Sequence, residues 1–296
     1  MKKSMPLSVK VAEPSRPPDA SFLFNKSRAW VMGVLNVTPD SFYAASRVSR
    51  LDGAVSLAAG MVHHGADLLD IGGESTRPGS KVVPSSQELD RVLPVLEALH
   101  AQWPNIPISI DTQKADVARE VLARGAVVIN DISALRADPG MADVVSAARC
   151  PVVLMHMQGT PESMQAHPHY ENVVDDVKRF FEERLVYCSR HSISEESVIL
   201  DPGIGFGKTL EHNMDLLKHL SEFLVFGRPL LVGLSRKSFL ARLFGNEESP
   251  LPPEERLEGS LAAALWAVQQ GARGLRVHDV AATCRAVRTW ERIEHS

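Results

Sequence analysis

Short apolar runs alternate with longer stretches of helical periodicity along most of the chain. Eight runs of four to eight residues are almost continuously apolar, which is typical of strands buried on both faces of a parallel sheet. The runs are AWVMGVLN, ADLLDIGG, PISID, AVVIND, PVVLMH, SVILDP, PLLVGLS and LRVH. The segments between them, such as QKADVAREVLARGA, have the apolar spacing of amphipathic helices. The pattern predicts an alternating β/α chain.

Eight strands that each lead into a helix predict a single (β/α)₈ barrel, the TIM-barrel fold. A doubly wound open sheet shows the same alternation, and the count of eight strands favours the closed barrel. The alternation runs without a linker, so residues 29–296 form one predicted domain. Residues 1–28 are rich in proline and charge and predict a disordered N-terminal tail. The helix that begins SSQE carries Ser85 and Glu88 at the spacing of a capping box.

Polar side chains stand where these apolar runs end. The residues concerned are Asn36, Asp111, Asn130, Asp131, His156, Asp201, Ser235, Lys237, Arg276 and His278. Any one of them is explained by the chain leaving the core at that point. In a barrel, however, the carboxyl ends of all the strands meet at one mouth, which is where catalytic groups gather. Together these residues predict a polar pocket at that mouth.

The side chains of this pocket suit a flat heterocycle. Carboxylates and an amide offer acceptors and donors, and a lysine adds a cation, which matches the edge of a pterin or a purine. The groups concerned are Asp111, Asn130, Asp201 and Lys237.

Two features indicate binding of anionic oxygens. Arg276 and His278 alternate on the last strand and therefore point the same way, which suits a phosphate cluster. A surface Arg–Asp pair beside a core histidine is the alternative. GLSRKSF enters a helix near Ser238, where free backbone N–H groups, with Arg236 and Lys237 beside them, would hold a carboxylate or phosphate.

Two loops are rich in glycine. GGESTRPGS follows the second strand and predicts either a mobile lid that supplies an anion contact through Arg77 or a plain polar turn. DPGIGFGKT lacks the spacing of a phosphate-binding P-loop, so we interpret its glycines as allowing a tight turn.

Composition narrows the class of protein. With 44% hydrophobic and 23% charged residues, the 296-residue chain can bury a full core, and its net charge of −4 offers no general attraction to nucleic acid. No apolar run approaches the roughly 18 residues of a membrane span, and no apolar stretch of a secretory signal follows the basic N-terminus. Cys150, Cys188 and Cys284 are widely separated and have no metal-ligand spacing, which indicates free thiols in a reducing compartment, the cytoplasm.

Eight motifs in this sequence resemble those of the dihydropteroate synthase family. They are NVTPDSF from Asn36, GGESTRPGS from Gly72, SID ending at Asp111, VIND ending at Asp131, HMQGTP from His156, DPGIGFGKT from Asp201, GLSRKSF from Gly233 and RVHDV from Arg276. The similarity covers the whole chain after the tail, in the family's order. Single motifs of this kind are weak, but the ordered set is specific.

The resemblance implies a transferase of folate synthesis. The enzyme would join 6-hydroxymethyl-7,8-dihydropterin diphosphate to 4-aminobenzoate, giving 7,8-dihydropteroate and diphosphate. The residues implied to bind the pterin ring are Asp111, Asn130, Asp201 and Lys237, with Met155 and Phe206 packing near it. Three of them, Asp111, Asp201 and Lys237, are implied to be catalytic.

Other roles are implied in the same way. Asn36 is similar to the family's magnesium ligand, so Mg²⁺ is the implied cofactor. The remaining contacts are Thr76, Arg276 and His278 for the diphosphate, and Arg77, Pro78 and Ser238 for 4-aminobenzoate, the last at its carboxylate. The family also implies a homodimer made through outer helices.

One stretch departs from the family's pattern. Residues 38–42 correspond to its first mobile loop, but Tyr43, Ala44, Ala45 and Ser46 follow where the family usually has an acidic residue and two glycines. The usual acid is absent at Ala44, and Asp40 is a nearby candidate to substitute for it.

Two alternatives stay open. A pterin-binding methyltransferase of the methyltetrahydrofolate and corrinoid type would share pterin groups such as Asp111 and Asn130, but it would not need STRPGS or SRKSF. A non-catalytic pterin-binding paralogue fits the loss of the acid at Ala44 but not the near-complete set of motifs. Release of diphosphate from the paired substrates distinguishes all three.

Overall fold

The computed structural model describes residues 18–25, 28–38, 47–76, 79–244 and 250–296. Over these ranges, strands and helices alternate in the order that the hydrophobic pattern predicts. The strands are β1 Trp30–Asn36, β2 Leu68–Gly72, β3 Ile108–Asp111, β4 Val128–Asp131, β5 Val152–Met155, β6 Val198–Asp201, β7 Leu231–Gly233 and β8 Gly274–Val277. The α-helices are α1 Arg47–His63, α2 Ser85–Gln102, α3 Ala115–Leu122, α4 Met141–Ala148, α5 Val173–Arg190, α6 Leu210–Lys218, α7 Ser238–Phe244, α8 Leu257–Gln269 and α9 Val280–Glu294.

The strands form one parallel sheet in the order β6-β5-β4-β3-β2-β1-β8-β7. β1 lies between β2 and β8, so the first and last strands of the chain are neighbours, as a barrel requires. Between β6 and β7 the sheet is joined by the parallel bridge of Leu200 and Leu230, and the Leu200 N–H donates to the Pro229 carbonyl oxygen at 3.0 Å. The sheet is therefore a nearly closed barrel, and the predicted (β/α)₈ fold is confirmed against the open sheet.

Large apolar side chains close the amino end of the barrel. Trp30 and Met32 of β1 point inward and pack with Leu231 and Leu23. Gly274 pairs with Trp30 in the β1–β8 register, and a Cβ at that glycine would overlap the indole ring. The strand residues of this lower layer are Trp30, Met32, Leu68, Val128, Val153, Ile199 and Leu231.

The packed part of the chain begins before residue 29. Ser21–Phe24 forms a 3₁₀ turn in which Leu23 is completely buried, and Trp30 Nε1 donates to the Leu23 carbonyl oxygen at 3.3 Å. Residues 18–25 therefore belong to the barrel and not to the tail expected over residues 1–28, because Leu23 covers the end of the core. Residues 1–17 lie outside the described residues.

The capping box expected at the start of α2 does not form. No side chain caps this end, and Glu88 is instead completely buried. Its carboxylate pairs with Lys114, which precedes α3 and also pairs with Glu74 of the β2–α2 loop. The predicted capping box is wrong because the Glu88 carboxylate forms a buried ion pair instead of a hydrogen bond at the helix start. A capping box is present at α6, where Thr209 Oγ1 accepts from the His212 N–H.

Two findings bear on the expectations from composition. No helix in the described part of the chain has the length and apolar character needed to cross a bilayer. All three cysteines are buried and free, as the sequence predicts.

Candidate active site

The barrel interior becomes polar two residues beyond the apolar lower layer, toward the carboxyl ends of the strands. Because side chains alternate along a strand, positions two residues further toward the carboxyl ends point into the barrel again. The polar residues at these positions are Asp70, Asp111, Asn130, Asp201 and Arg276. The first four are at most 6% exposed. The structure thus brings together groups that stand far apart in the sequence.

Arg276 joins two of the carboxylates. Its Nε donates to Asp70 Oδ2 at 2.7 Å, and its Nη2 donates to Asp111 Oδ2 at 2.8 Å. Asn130 Nδ2 donates to the same oxygen of Asp70 at 3.1 Å. Because hydrogen bonds to charged groups are strong and directional, Asp70 orients both of its neighbours. Arg276 lies in a buried network, so the alternative of a surface Arg–Asp pair is wrong.

Burial raises the pKa of two carboxyl groups of the mouth, Asp111 and Asp201. Desolvation raises the pKa of Asp111 to about 7; the attraction of Arg276 opposes this, and the charge of Asp70 adds to it. Burial also raises the pKa of Asp201, against the attraction of Lys237 and a hydrogen bond of 2.7 Å from the Gly203 N–H. The site therefore holds acids whose charge responds to what binds beside them.

Lys237 approaches Asp201 from the end of β7. Its Nζ donates to the Ile204 carbonyl oxygen at 2.5 Å and lies 4.0 Å from the centroid of the Phe206 ring. Desolvation lowers the pKa of Lys237 to about 7, although Asp201 favours its charged form. An amine in this position can donate hydrogen bonds without a full charge.

Glycines leave open space between the charged groups. A Cβ built at Gly233 would lie 3.8 Å from Lys237 Cε and 4.0 Å from Arg276 Cβ. A Cβ built at Gly72 would lie 3.4 Å from Asn36 Oδ1. The mouth is therefore kept wide on both sides of Arg276, which suits a flat ligand.

One side of the mouth is apolar and polarisable. Met155 at the end of β5 packs with Ile132, Met157 and Met164, and the ring of Phe206 lies against this cluster. Thioethers and an aromatic ring make good contacts with the face of a heterocycle. The structure brings Met155 and Phe206 together, as a pterin pocket would require.

Three expected substrate residues lie on the rim, outside the buried network. His278 is exposed; its N–H donates to Ser235 Oγ at 3.2 Å, and its Nδ1 lies 3.2 Å from the same oxygen. Ser238 is exposed and is the first residue of α7. Thr76 is half-buried in the β2–α2 loop.

Arg236 does not support the anion site expected beside Ser238. Its Nε and Nη2 donate to the two carboxylate oxygens of Asp279 at 2.8 and 2.6 Å. This guanidinium already has a carboxylate partner at the turn between β7 and α7, so the part expected of Arg236 is wrong, and the anion site at Ser238 itself stays a prediction.

Some expected residues lie outside the described residues. They are Arg77, Pro78 and residues 39–46 of the first loop, which include Asp40, Tyr43, Ala44, Ala45 and Ser46. Thr38, at the start of that loop, is buried.

The sequence analysis missed two buried charges near the mouth. Asp70 stands inside ADLLDIGG, which was interpreted as an apolar strand; the signal was a carboxylate placed two residues before Gly72 on the inward-facing side. Lys208 stands in DPGIGFGKT, whose glycines predict only a tight turn. Its Nζ lies 2.9 Å from His156 Nδ1, and desolvation lowers the pKa of both groups well below their ordinary values.

The glycines of that loop behave as the sequence predicts. Gly203, Gly205 and Gly207 have φ values of 67°, 84° and 61°, in the left-handed region that favours glycine. A Cβ at Gly203 would also overlap the His156 carbonyl oxygen. The loop is a tight turn, as we interpreted it.

The fold and the site define a pterin-binding enzyme. The family described as pterin binding enzyme matches residues 32–278 of this chain. The dihydropteroate synthase of Escherichia coli strain K12 is 48% identical over 265 residues, which are 90% of this chain and 92% of that protein.

Solved structures agree with this relationship. Dihydropteroate synthase from Xanthomonas albilineans with 4-aminobenzoic acid matches with a TM-score of 0.85 at 47% identity, covering 91% of this chain and 94% of that chain. A structure of the enzyme from the same organism in complex with 7,8-dihydropteroate matches with a TM-score of 0.81 at 44% identity, covering 91% and 95%. The chain belongs to the dihydropteroate synthase family and is a transferase, which confirms the resemblance found in its motifs.

Proposed function

We propose that this chain joins 6-hydroxymethyl-7,8-dihydropterin diphosphate to 4-aminobenzoate, forming 7,8-dihydropteroate and releasing diphosphate. The observation that carries the proposal is the convergence of polar groups from four strand ends beside one apolar wall. Those groups are Asp111, Asn130, Asp201 and Lys237. Related enzymes hold 4-aminobenzoic acid and 7,8-dihydropteroate in their solved structures, which supports the choice of substrates.

The pterin ring lies with its edge toward the buried polar layer and its face toward Met155 and Phe206. Carboxylates accept hydrogen bonds from ring N–H groups, and the Lys237 amine donates to ring acceptors. Asn130 gives one N–H to Asp70 and keeps its carbonyl oxygen and second N–H for the ring. In this water-poor position each hydrogen bond is stronger than it would be in solvent.

The exocyclic C–O bond to the diphosphate breaks first. Diphosphate leaves with the bonding electron pair, and the positive charge left on the carbon is delocalised into the dihydropterin ring. Asp111 and Asp201 stabilise that charge as it develops, in a site of low dielectric where such stabilisation is large. The amine nitrogen of 4-aminobenzoate then forms the new C–N bond and loses a proton to water or diphosphate.

Arg276 has two roles in the proposed reaction: it holds buried carboxylates and it contacts the diphosphate. Its Nε and Nη2 hold the carboxylates of Asp70 and Asp111. Its Nη1 makes no hydrogen bond with any residue that the structure describes, and it is the nitrogen that we assign to a phosphate oxygen. Thr76 and His278 complete the diphosphate contacts on the rim.

Asn36 is the residue that would hold Mg²⁺. Its amide oxygen is a hard ligand at the rim, and Mg²⁺ commonly keeps only one or two protein ligands while substrate phosphates and water supply the rest. This donor set fits, because Asn36 Oδ1 faces the space that the missing side chain of Gly72 leaves at the mouth, 3.4 Å from a Cβ built there. When bound with the substrate, the ion neutralises charge on the departing diphosphate.

The second substrate takes the outer part of the mouth. We assign its ring to Arg77 and Pro78, and its carboxylate to the N–H and hydroxyl groups of Ser238 at the start of α7. The departure at Ala44 leaves Asp40 as the acid of the first loop.

We also propose that the enzyme is a cytoplasmic homodimer. The three free cysteines suit a reducing compartment. On the outer helices, Trp266 of α8 and Ile293 of α9 are 43% and 71% exposed, which is apolar surface that a second copy would cover. Light scattering at micromolar concentration should give twice the mass of the chain, and a monomer would contradict the dimer.

A diphosphate-release assay tests the reaction. We expect release only when both substrates and Mg²⁺ are present, and loss of release after chelation. Asp111→Ala or Lys237→Ala should weaken pterin binding at least about tenfold in calorimetry, because each removes a buried hydrogen-bonding partner. Asp116→Ala on the exposed side of α3 is the control. A methyltransferase or a non-catalytic paralogue would release no diphosphate.

A further inference from the structure

The loop between β6 and α6 is held by side chains along its whole length. Five consecutive carbonyl oxygens, from Gly203 to Gly207, each accept a hydrogen bond from a side chain. The donors, in that order, are Lys208, Lys237, Gln165, Lys208 and Tyr170. Backbone that is not part of a helix or sheet needs such partners when it is buried, so these donors determine the path of the loop.

Lys208 makes more of these bonds than any other donor. Its Nζ donates to the carbonyl oxygens of Gly203 and Phe206, each at 3.0 Å, and to that of His156 at 3.3 Å. It also lies 2.9 Å from His156 Nδ1. The residue is only 2% exposed. One amine therefore ties the loop after β6 to the end of β5.

A buried lysine is a costly way to stabilise a fold. Lysine is almost never fully buried, and an apolar side chain of similar volume usually serves stability at least as well. What Lys208 provides that an apolar residue lacks is a set of directed N–H groups. That difference points to accuracy of position in the loop, rather than to stability alone.

The position of this loop matters because two pterin-site groups depend on it. The Phe206 ring lies 4.0 Å from Lys237 Nζ, and the Ile204 carbonyl oxygen accepts from that same nitrogen at 2.5 Å. Phe206 also packs on the methionine wall. A shift of the turn would therefore move the wall and release Lys237 together.

We propose that Lys208 is a positioning residue of the pterin site, which holds the Gly203–Phe206 turn so that Phe206 and Lys237 face the pterin ring. Lys208 itself makes no contact with the substrate. This inference rests on the proposed function for the identity of the ligand, and it adds a residue that acts through the loop.

The test is Lys208→Met, which keeps an unbranched side chain one atom shorter than lysine and removes the N–H groups. We expect affinity for 6-hydroxymethylpterin, measured by calorimetry, to fall about tenfold, and the KM for the pterin diphosphate to rise with it. The KM for 4-aminobenzoate should change less than about twofold, because among the described residues no hydrogen bond joins Ser238 to this loop. Lys218→Met, at an exposed lysine of α6, is the matched control and should change neither value.

A double-mutant cycle separates positioning from general damage. If Lys208 acts through Phe206, then Lys208→Met should cost much less pterin affinity in a Phe206→Leu background than in the wild type. Additive losses, unchanged pterin affinity in folded Lys208→Met, or equal rises in both KM values would overturn the proposal. If the methionine variant does not fold, Lys208→Leu, which also has no N–H group, is judged by the same criteria.

The outcome can be told apart from a failure of the proposed function. Calorimetry with 6-hydroxymethylpterin requires no turnover, so it reports on Lys208 even if the wild type releases no diphosphate. A wild type that releases diphosphate together with a Lys208→Met variant of normal pterin affinity would reject the positioning role alone.

Discussion

The two ends of the barrel interior are built from the same strands and differ in chemical character. On β4, Val128 belongs to the lower layer and Asn130 to the mouth, and on β6 the same step leads from Ile199 to Asp201. The lower layer gains free energy by removing apolar surface from water. The mouth holds buried charges, each of which costs free energy unless it is paired. A step of two residues thus separates the part that stabilises the barrel from the part that binds.

The largest expected effect is the loss of folding stability when a side chain of the lower layer is removed. Trp30→Ala should reduce the free energy of unfolding by about 3–5 kcal/mol, because it removes the side chain that fills the barrel end and leaves a cavity. Urea denaturation measures the loss. Pterin affinity of the folded variant should stay within about twofold of the wild type, and a large loss of affinity would show that the two ends are not independent.

Gly274→Ala should also act on stability. The added methyl group would overlap the Trp30 ring, so we expect a loss of about 1–3 kcal/mol from overpacking. Gly60→Ala is the control, because a Cβ at that position in α1 meets no atom within 4 Å and the change should stabilise the helix by about 0.5–1 kcal/mol. Equal effects of the two substitutions would contradict the packing that we describe.

At the mouth we expect a substitution to change pterin affinity strongly and the free energy of unfolding little. Asp70→Asn keeps the shape, and Arg276 keeps its second carboxylate partner, Asp111. The free energy of unfolding should therefore change by less than about 1 kcal/mol. Pterin affinity should fall about tenfold because Asn130 and Arg276 lose the anion that orients them. A variant that is strongly destabilised and still binds pterin normally would be evidence against this division.

The pH dependence of stability gives a further test of the mouth. Between about pH 4 and 7 the folded chain holds the Asp111 proton more tightly than the unfolded chain, so this group makes stability fall as pH rises. Between pH 7 and about 10 the unfolded chain holds the Lys237 proton more tightly, so this group makes stability rise with pH. Urea unfolding from pH 5 to 9 should lose the first slope in Asp111→Asn and the second in Lys237→Met. Curves parallel to the wild type would reject both assignments.

Much of the fold and of the site could be predicted because the relevant signals are local. Eight apolar runs are enough to count strands, and parallel strands bring their carboxyl ends to one place wherever they stand in the chain. Asp111, Asn130 and Asp201 were found in this way. The buried pocket wall was found at Met155 and Phe206 only through the family resemblance.

The sequence could not predict which charged side chains pair with each other. Glu88 stands at a capping position, yet it pairs with Lys114, and Arg236 stands beside a helix start, yet it pairs with Asp279. Asp70 meets Arg276 across 206 positions of the chain. Such pairs depend on distances of a few ångström that exist only after the strands have assembled, and no local pattern encodes them.

The seam between β6 and β7 has a consequence for ligand binding. Among the described residues, the backbone pairing between the two strands is limited to the bridge of Leu200 and Leu230, and Asp201 and Lys237 stand on opposite sides of it. A pterin that forms hydrogen bonds with both residues would therefore connect the two strands of the barrel that share the fewest backbone contacts. In the proposed complex, the ligand would therefore add to the few contacts that hold β6 and β7 together.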